Sequence, residues 1–147
     1  MKTRKLSSNL TIPGVFLSAI VILAIMPVAY DRVIKNGSTG LMLFTGIFLL
    51  GIIALQIYLF RFVCTAKVEN GVLIMKKLFR PAKEYSFDKI GEPKSIRIKN
   101  TVYTSVKMEN EDATHEKFLI VNSKSILSTN KTDAKNVLIE LKNSIIG

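Results

Sequence analysis

Two uninterrupted apolar runs constrain this chain more than any other feature. Leu10 to Tyr30 reads LTIPGVFLSAIVILAIMPVAY and Leu41 to Phe60 reads LMLFTGIFLLGIIALQIYLF; neither holds a charged side chain. At a rise of about 1.5 Å per residue, roughly 20 helical residues cross a hydrocarbon core of about 30 Å. Both runs are long enough. Between them, Asp31 to Gly40 carries the turn residues Asn36-Gly37-Ser38 and Gly40, the signature of a hinge. The expectation is a transmembrane helical hairpin over residues 10–62, with a basic tail at 1–9 before it and a separate domain at 63–147 after it. MKTRK would suit the start of a signal peptide. The first apolar run, however, exceeds the roughly 7–15 residues of a signal core, and a second spanning run follows it.

Charge orients the hairpin. Of the net +10, residues from Arg61 onward supply +6, with 16 Lys and Arg against 10 Asp and Glu. Lys2, Arg4 and Lys5 precede the first run, and Arg61 and Lys67 follow the second. The hinge holds Arg32 and Lys35, offset by Asp31. Positive residues stay on the cytoplasmic side of membrane helices, which places both termini inside and the hinge outside. A multi-pass membrane protein with both termini cytoplasmic is therefore expected. That location accounts for the basic charge without nucleic acid. The single cysteine, Cys64, allows no internal disulfide, in keeping with a reducing compartment.

Within the first run, Pro13 sits where a missing N–H costs little, and Pro27 is positioned to kink or stop the helix. Gly14 and Ser18 form a small-xxx-small pair, and Gly46, Gly51 and Ala54 thin the second helix, as is ordinary in membrane helices. Tyr30 and Tyr58 suit interfacial positions. Gln56 is the strongly polar side chain of the second run; it is expected to bond a neighbouring helix or to snorkel to the interface.

From Cys64 the periodicity shortens to that of strands. CTAKVE, Asn70-Gly71 and VLIMKKLF make a hairpin, because Asn-Gly supplies the positive φ values of a type I′ turn. Pro81 turns the chain again, and KEYSF puts Tyr85 and Phe87 on one face. SIRIKN alternates, with Ile96 and Ile98 expected inward and Arg97 and Lys99 outward. Asn100-Thr101 is read as a tight turn into VYTSVKME, where Val102, Thr104, Val106 and Met108 share a face. Asn110 to Thr114 reads as a loop. HEKFLIVN follows, with Phe118 and Ile120 on one face and Leu119 and Val121 on the other. Six strands are visible, and Ser125 to Ser128 suits a short seventh. A helix near Lys131 to Ile145 closes the chain, capped by Asn130 or Thr132. Its apolar stripe is Ala134, Val137, Leu138, Leu141 and Ile145.

This succession of strands, short turns and one C-terminal amphipathic helix resembles a pleckstrin-homology (PH) fold. More narrowly, it resembles the bacterial PH-like domains that follow one or two membrane helices. The residues that carry the likeness are VENGVLIMKKLFRPAKEYSFDKI, Val68 to Ile90, with SIRIKN, KFLIVNS and the final helix at matching places. The resemblance implies an α+β, membrane-anchored protein. Its free part would be a PH-like β-barrel of six to seven antiparallel strands, built as two orthogonally packed sheets that form a partly open barrel, with the helix plugging one end. It implies a scaffold for binding and no enzymatic activity. Some membrane-anchored members resemble immunity proteins against antibacterial peptides.

No constellation of catalytic residues stands out. His115 has no second histidine and no neighbouring cysteine, and reads as a solvated surface side chain. Cys64, just past the second span, suits acylation or, the preferred reading, a small core or interface position. The glycines form no nucleotide-binding spacing. Glu109, Glu111, Asp112 and Glu116 lack the pattern of a calcium loop and read as a solvated acidic turn. No metal and no cofactor is expected. The candidate binding residues are the cations Lys76, Lys77, Arg80 and Lys83, around the Arg80-Pro81 turn. On a domain tethered close to the bilayer they could meet anionic lipid head groups, each worth about 1 kcal/mol near the surface. A solvated basic turn is the plainer reading.

The leading functional reading is a non-catalytic, membrane-anchored binding or scaffold protein. Its partner would be the lipid bilayer, a membrane protein or a peptide; its oligomeric state is open. Self-protection against an antibacterial peptide is one alternative. A small subunit of a membrane transporter or enzyme is another, disfavoured because few polar residues lie within the spans.

Overall fold

A computed structural model describes residues 3–9, 11–123 and 133–145. Two compact units divide the chain: Pro13–Arg61, and a second made of the segment up to Ile12 together with the chain from Phe62 onward.

The first unit is the helical hairpin. Helix α1 spans Thr11–Asn36 and α2 spans Thr39–Phe62. Both are long and apolar enough to cross a membrane, and none of α2 is buried, unlike the core helix of a soluble protein. The hinge is shorter than its composition suggests. Helix α1 runs through Pro27 without stopping and takes in Asp31 to Asn36, helped by an Asp31–Lys35 ion pair of 2.8 Å one turn apart. Only Gly37 and Ser38 separate the helices. Gly37 donates to the Val33 carbonyl at 2.9 Å, and a Cβ there would stand 2.3 Å from that oxygen. Between the helices, Gln56 Oε1 accepts from Ser18 Oγ at 3.2 Å and Gln56 Nε2 donates to the Val15 carbonyl at 3.0 Å. The polar side chain of the second run thus bonds the neighbouring helix.

The second unit is a sheet with a helix against it. Its strands are β1 (Arg4–Lys5), β2 (Val63–Glu69), β3 (Val72–Lys77), β4 (Ala82–Tyr85), β5 (Lys94–Ile98), β6 (Thr101–Glu109) and β7 (His115–Ser123), followed by α3 (Ala134–Asn143). The Asn-Gly hairpin forms as expected, with Asn70 at φ 52° and Gly71 at φ 79°. The strand order is β4-β3-β2-β7-β6-β5, with β1 pairing β2. Two features differ from the PH-like barrel that the resemblance implies. The described strands form one continuous sheet rather than two orthogonal ones. It is mixed, because β2 and β7 run parallel, Val63 opposite Leu119 and Cys64 opposite Ile120. The sheet does not close, and β4 and β5 are its two edges.

The N-terminal segment belongs to this unit. After Cys64 and Ile120, strands β2 and β7 diverge, and residues 4–8 fill the gap. Arg4 pairs with Val68 and Lys5 with Lys67. Leu6 N–H donates to the Ala66 carbonyl at 2.9 Å, and Ala66 N–H donates to Ser7 Oγ at 3.1 Å. Ser8 N–H then crosses to the Val121 carbonyl at 3.1 Å. Leu6 itself is buried in the core. A parallel pair that separates leaves backbone groups in need of partners, and this segment supplies them.

The core gathers Leu6, Cys64, Ala66, Leu73, Met75, Tyr85, Ile90, Val106, Met108, Phe118 and Ile120 against Ala134, Val137 and Leu138 of α3. Asp133 caps α3 by accepting from Lys135 N–H at 3.0 Å. The helix is shorter than read, and its expected caps Asn130 and Thr132, like the suggested strand at 125–128, lie outside the described residues. Ile145, at the end of the predicted stripe, is half exposed. The turn between β5 and β6 is Lys99-Asn100, one residue earlier than expected.

One expectation is overturned for the two isoleucines of β5, while Arg97 and Lys99 are exposed as expected. Ile96 and Ile98 face outward, 68% and 58% exposed. The alternation of β5 is as read, but its phase is set by pairing with β6. Ser95 stands opposite Thr104 and Arg97 opposite Val102, both on the core face of β6, while Ile96 opposes Tyr103 on the other. A period of two cannot say which face is buried.

Candidate functional site

The sheet curls strongly. Tyr85 of β4 meets Phe118 of β7 edge-on, ring centroids 5.7 Å apart, although β3 and β2 lie between them. Three strand spacings in a flat sheet would separate those strands by about 14 Å. The curl brings the β3–β4 end of the sheet over the start of β7, and there the charges meet.

Glu116 is the centre of that meeting. Lys77 Nζ lies 2.7 Å from its Oε1, Arg80 Nη1 3.2 Å from the same oxygen, and Lys83 Nζ 2.7 Å from Oε2. Tyr85 Oη is 3.5 Å from Oε2 and donates to Asn110 Oδ1 at 2.9 Å. Lys77 is buried, its ammonium 4.4 Å from the centroid of the Phe118 ring and 5.7 Å from that of Phe62, both cation–π contacts. Burial pushes the Glu116 carboxyl up, but hydrogen bonds from Lys77 and Lys83, and their charges, outweigh it and bring it down to about 2. Burial, together with the charge of and hydrogen bond to Glu116, pushes the Tyr85 phenol up to about 12.

Three of the four cations singled out in the sequence therefore converge on one carboxylate. Lys77, Arg80 and Lys83 hold Glu116, with the Arg80 and Lys83 side chains still half or more exposed. Lys76 points from the opposite face of β3, where it lines a shallow cavity of about 300 Å³ with Lys5, Ser7, Thr65 and Lys67. The four do not form one surface. Beside them stands Phe79, at φ 60° and 81% exposed, on the turn between β3 and β4, a residue that no periodicity of the sequence marks.

By sequence Glu116 belongs with the acidic turn of Glu109, Glu111 and Asp112, and the structure separates it from that group. Glu109 instead pairs with Lys89 at 3.3 Å. Asp112 closes the loop by accepting from Thr114 N–H at 3.1 Å and Thr114 Oγ1 at 2.6 Å, and those bonds hold its carboxyl below the usual range. A signal for Glu116 did exist. In HEKFLIVN it shares the face of Phe118 and Ile120, and in VLIMKK Lys77 shares the face of Leu73 and Met75. Two core faces each extended by one opposite charge are natural partners, once the strands are known to meet.

The remaining candidates are quickly placed. Cys64 is fully buried, its thiol donating to the Leu119 carbonyl at 3.6 Å and pushed up to about 12 by that burial; it is a core residue and a poor nucleophile. His115 is exposed at the start of β7, on the rim of an open groove of about 620 Å³ that Lys94, Lys107 and Lys142 also line. Among the described residues no three His, Cys, Asp or Glu side chains come together as a metal site would need. Comparison with known proteins finds no matching family model, no similar curated protein and no similar solved structure.

Proposed function

We propose that this protein is a non-catalytic, membrane-anchored binding module that presents its β unit at the cytoplasmic surface of a bacterial membrane. The observation that carries this reading is covalent. Helix α2 ends at Phe62 and β2 begins at Val63, so no linker intervenes between a span and the sheet. A unit held that close to a bilayer has the bilayer, or another membrane protein, as its standing neighbour. The six strands from Val63 to Ser123 and the C-terminal helix also support a PH-like relationship, with the single, mixed sheet as a departure from it.

The Glu116 cluster changes what the basic turn contributes. One carboxylate against Lys77, Arg80 and Lys83 leaves two positive charges there, and lipid phosphate would have to compete with an ion pair already made. The turn is better read as the clasp of the curl, with Arg80 and Lys83 as secondary contacts to anionic lipid.

Cysteine accessibility in intact cells tests the anchor and its orientation. Cys64 is unsuited as a reporter because it is buried in the fold. In a Cys64→Ser background, Ser38→Cys is expected to react with a membrane-impermeant thiol reagent and Glu84→Cys to react only after the cells are opened. The reverse pattern would overturn the orientation, and release of the chain by alkaline carbonate would overturn the anchor.

A further inference from the structure

We infer that the outer face of the β5–β6–β7 sheet, centred on Ile96 and Ile98, is a docking surface for the lipid bilayer itself. The inference rests on the membrane reading above and names the surface that reading lacks. Its starting point is the pair of outward isoleucines on β5. Ser95 and Arg97 lie on the other face, Arg97 exposed at the sheet edge, while Ile96 and Ile98 are 68% and 58% exposed. Large apolar side chains turned outward on an edge strand are a liability unless something covers them.

The cross-strand register shows what that is. Ile96 opposes Tyr103, and Tyr103 opposes Val121, so the three form one row across the sheet. The carbonyl of Val121 accepts from Ser8 N–H at 3.1 Å and from Thr11 Oγ1 at 3.0 Å, where the first apolar helix begins. The neighbouring row is Lys94, Ser105, Leu119 and Val63, and Val63 directly follows the last residue of the second helix. Two adjacent rows of one sheet face therefore end at the two points where the spans are attached. Strands are spaced about 4.8 Å apart, so Ile96 stands about 10 Å from Val121. The head-group region on each side of a bilayer is of similar thickness, about 5–8 Å.

The charges on the same face fit an anionic lipid surface. Lys94, Lys107 and Lys117 occupy its next positions and Lys99 its hairpin turn, with Lys94, Lys99 and Lys107 exposed. Apolar side chains flanked by cations form the usual composition of a surface that lies in the head-group layer. A second copy of the chain is the disfavoured occupant, because it would bring these same cations together.

The chain contains no tryptophan, so a single introduced indole reports its own surroundings. Full-length Tyr103→Trp and Ile96→Trp are to be reconstituted in nanodiscs of phosphatidylcholine and phosphatidylglycerol in which the lipid is brominated near the head group. Phe79→Trp, on the basic turn, is the comparison, and Phe48→Trp, within the second span, is the control with lipid brominated deep in its chains. The expected result is quenching at Tyr103→Trp and Ile96→Trp well above that at Phe79→Trp. It should fall when phosphatidylglycerol is omitted, and fall again for Tyr103→Trp when Ile96→Ser and Ile98→Ser are added. Quenching at Phe79→Trp equal to or above that at Tyr103→Trp would overturn the inference, since the basic turn would then face the lipid. So would an absence of quenching at both Tyr103→Trp and Ile96→Trp while Phe48→Trp is quenched. Absence of quenching at Phe48→Trp would instead overturn the membrane reading on which the inference rests.

Discussion

Lys77 Nζ and Glu116 Oε1 lie 2.7 Å apart across 39 residues of sequence, at the point where the curled sheet meets itself. The lysine is 5% exposed and the glutamate 13%. No backbone ladder joins β4 to β7, so this pair, with Arg80, Lys83 and the Tyr85–Phe118 contact, does the work that strand pairing does elsewhere in the sheet. A buried ion pair contributes little net free energy against an apolar replacement, but breaking it leaves one charge stranded.

Glu116→Gln is therefore expected to lower the stability of the β unit by about 3 kcal/mol, because it strands the buried Lys77. The double variant Glu116→Gln with Lys77→Met should recover much of that loss. Urea unfolding of the full chain in detergent, followed by near-ultraviolet circular dichroism, gives both midpoints. A single variant as stable as the parent would remove the clasp from the account.

The same carboxylate makes stability depend on pH in the acid range. Its folded pKa of about 2 lies below the ordinary 4.5. The unfolded state then binds more protons as pH falls, so the contribution of Glu116 is fully present above about pH 4.5 and is lost as pH drops toward 2. Thermal midpoints measured across that window should fall more steeply for the parent than for Glu116→Gln. Parallel curves would contradict the assignment.

Leu6 tests the role of the N-terminal segment. It is 1% exposed, and Leu6→Ala is expected to cost about 2–5 kcal/mol through lost burial and the cavity left behind. A change within about 0.5 kcal/mol, the scale of an ordinary surface substitution, would show that the segment is dispensable.

A fragment that starts at Arg61 lacks Leu6, the β1 pairing and the partners of Ala66 and Val121. It is expected to unfold without a sharp transition and to bind a hydrophobic dye. Joining residues 3–9 ahead of residue 61 through a flexible linker should restore a cooperative transition. A fragment that is equally cooperative without them would show that β2 and β7 close without the wedge.

Cys64 should resist N-ethylmaleimide at pH 8 in the folded chain and react readily in guanidinium chloride. Its thiol is buried and pushed up to about 12, whereas the thiolate is the reactive form. Rapid labelling of the native protein would mean that the β2–β7 seam opens.

Much of the architecture was legible along the chain because its causes are local. Two apolar runs, an Asn-Gly turn, the alternation of VYTSVKME and HEKFLIVN and the stripe of Ala134, Val137 and Leu138 each reflect a helical or extended period written in neighbouring residues. Even Gln56, alone in an apolar helix, announced its need for a partner on the next one. What the tertiary structure decided was everything that depends on which strand lies beside which. Ile96 and Ile98 alternate correctly in the sequence, yet only pairing with β6 turns them outward. Glu116 looks like one acid among four until the curl carries Lys77, Arg80 and Lys83 to it. Residues 3–9 read as a charged tail because no local period marks them, and their place follows from a gap between two parallel strands that are more than fifty residues apart in sequence. Periodicity is a property of neighbours in the chain, whereas register, curl and charge pairing arise between segments that meet only once the chain has folded.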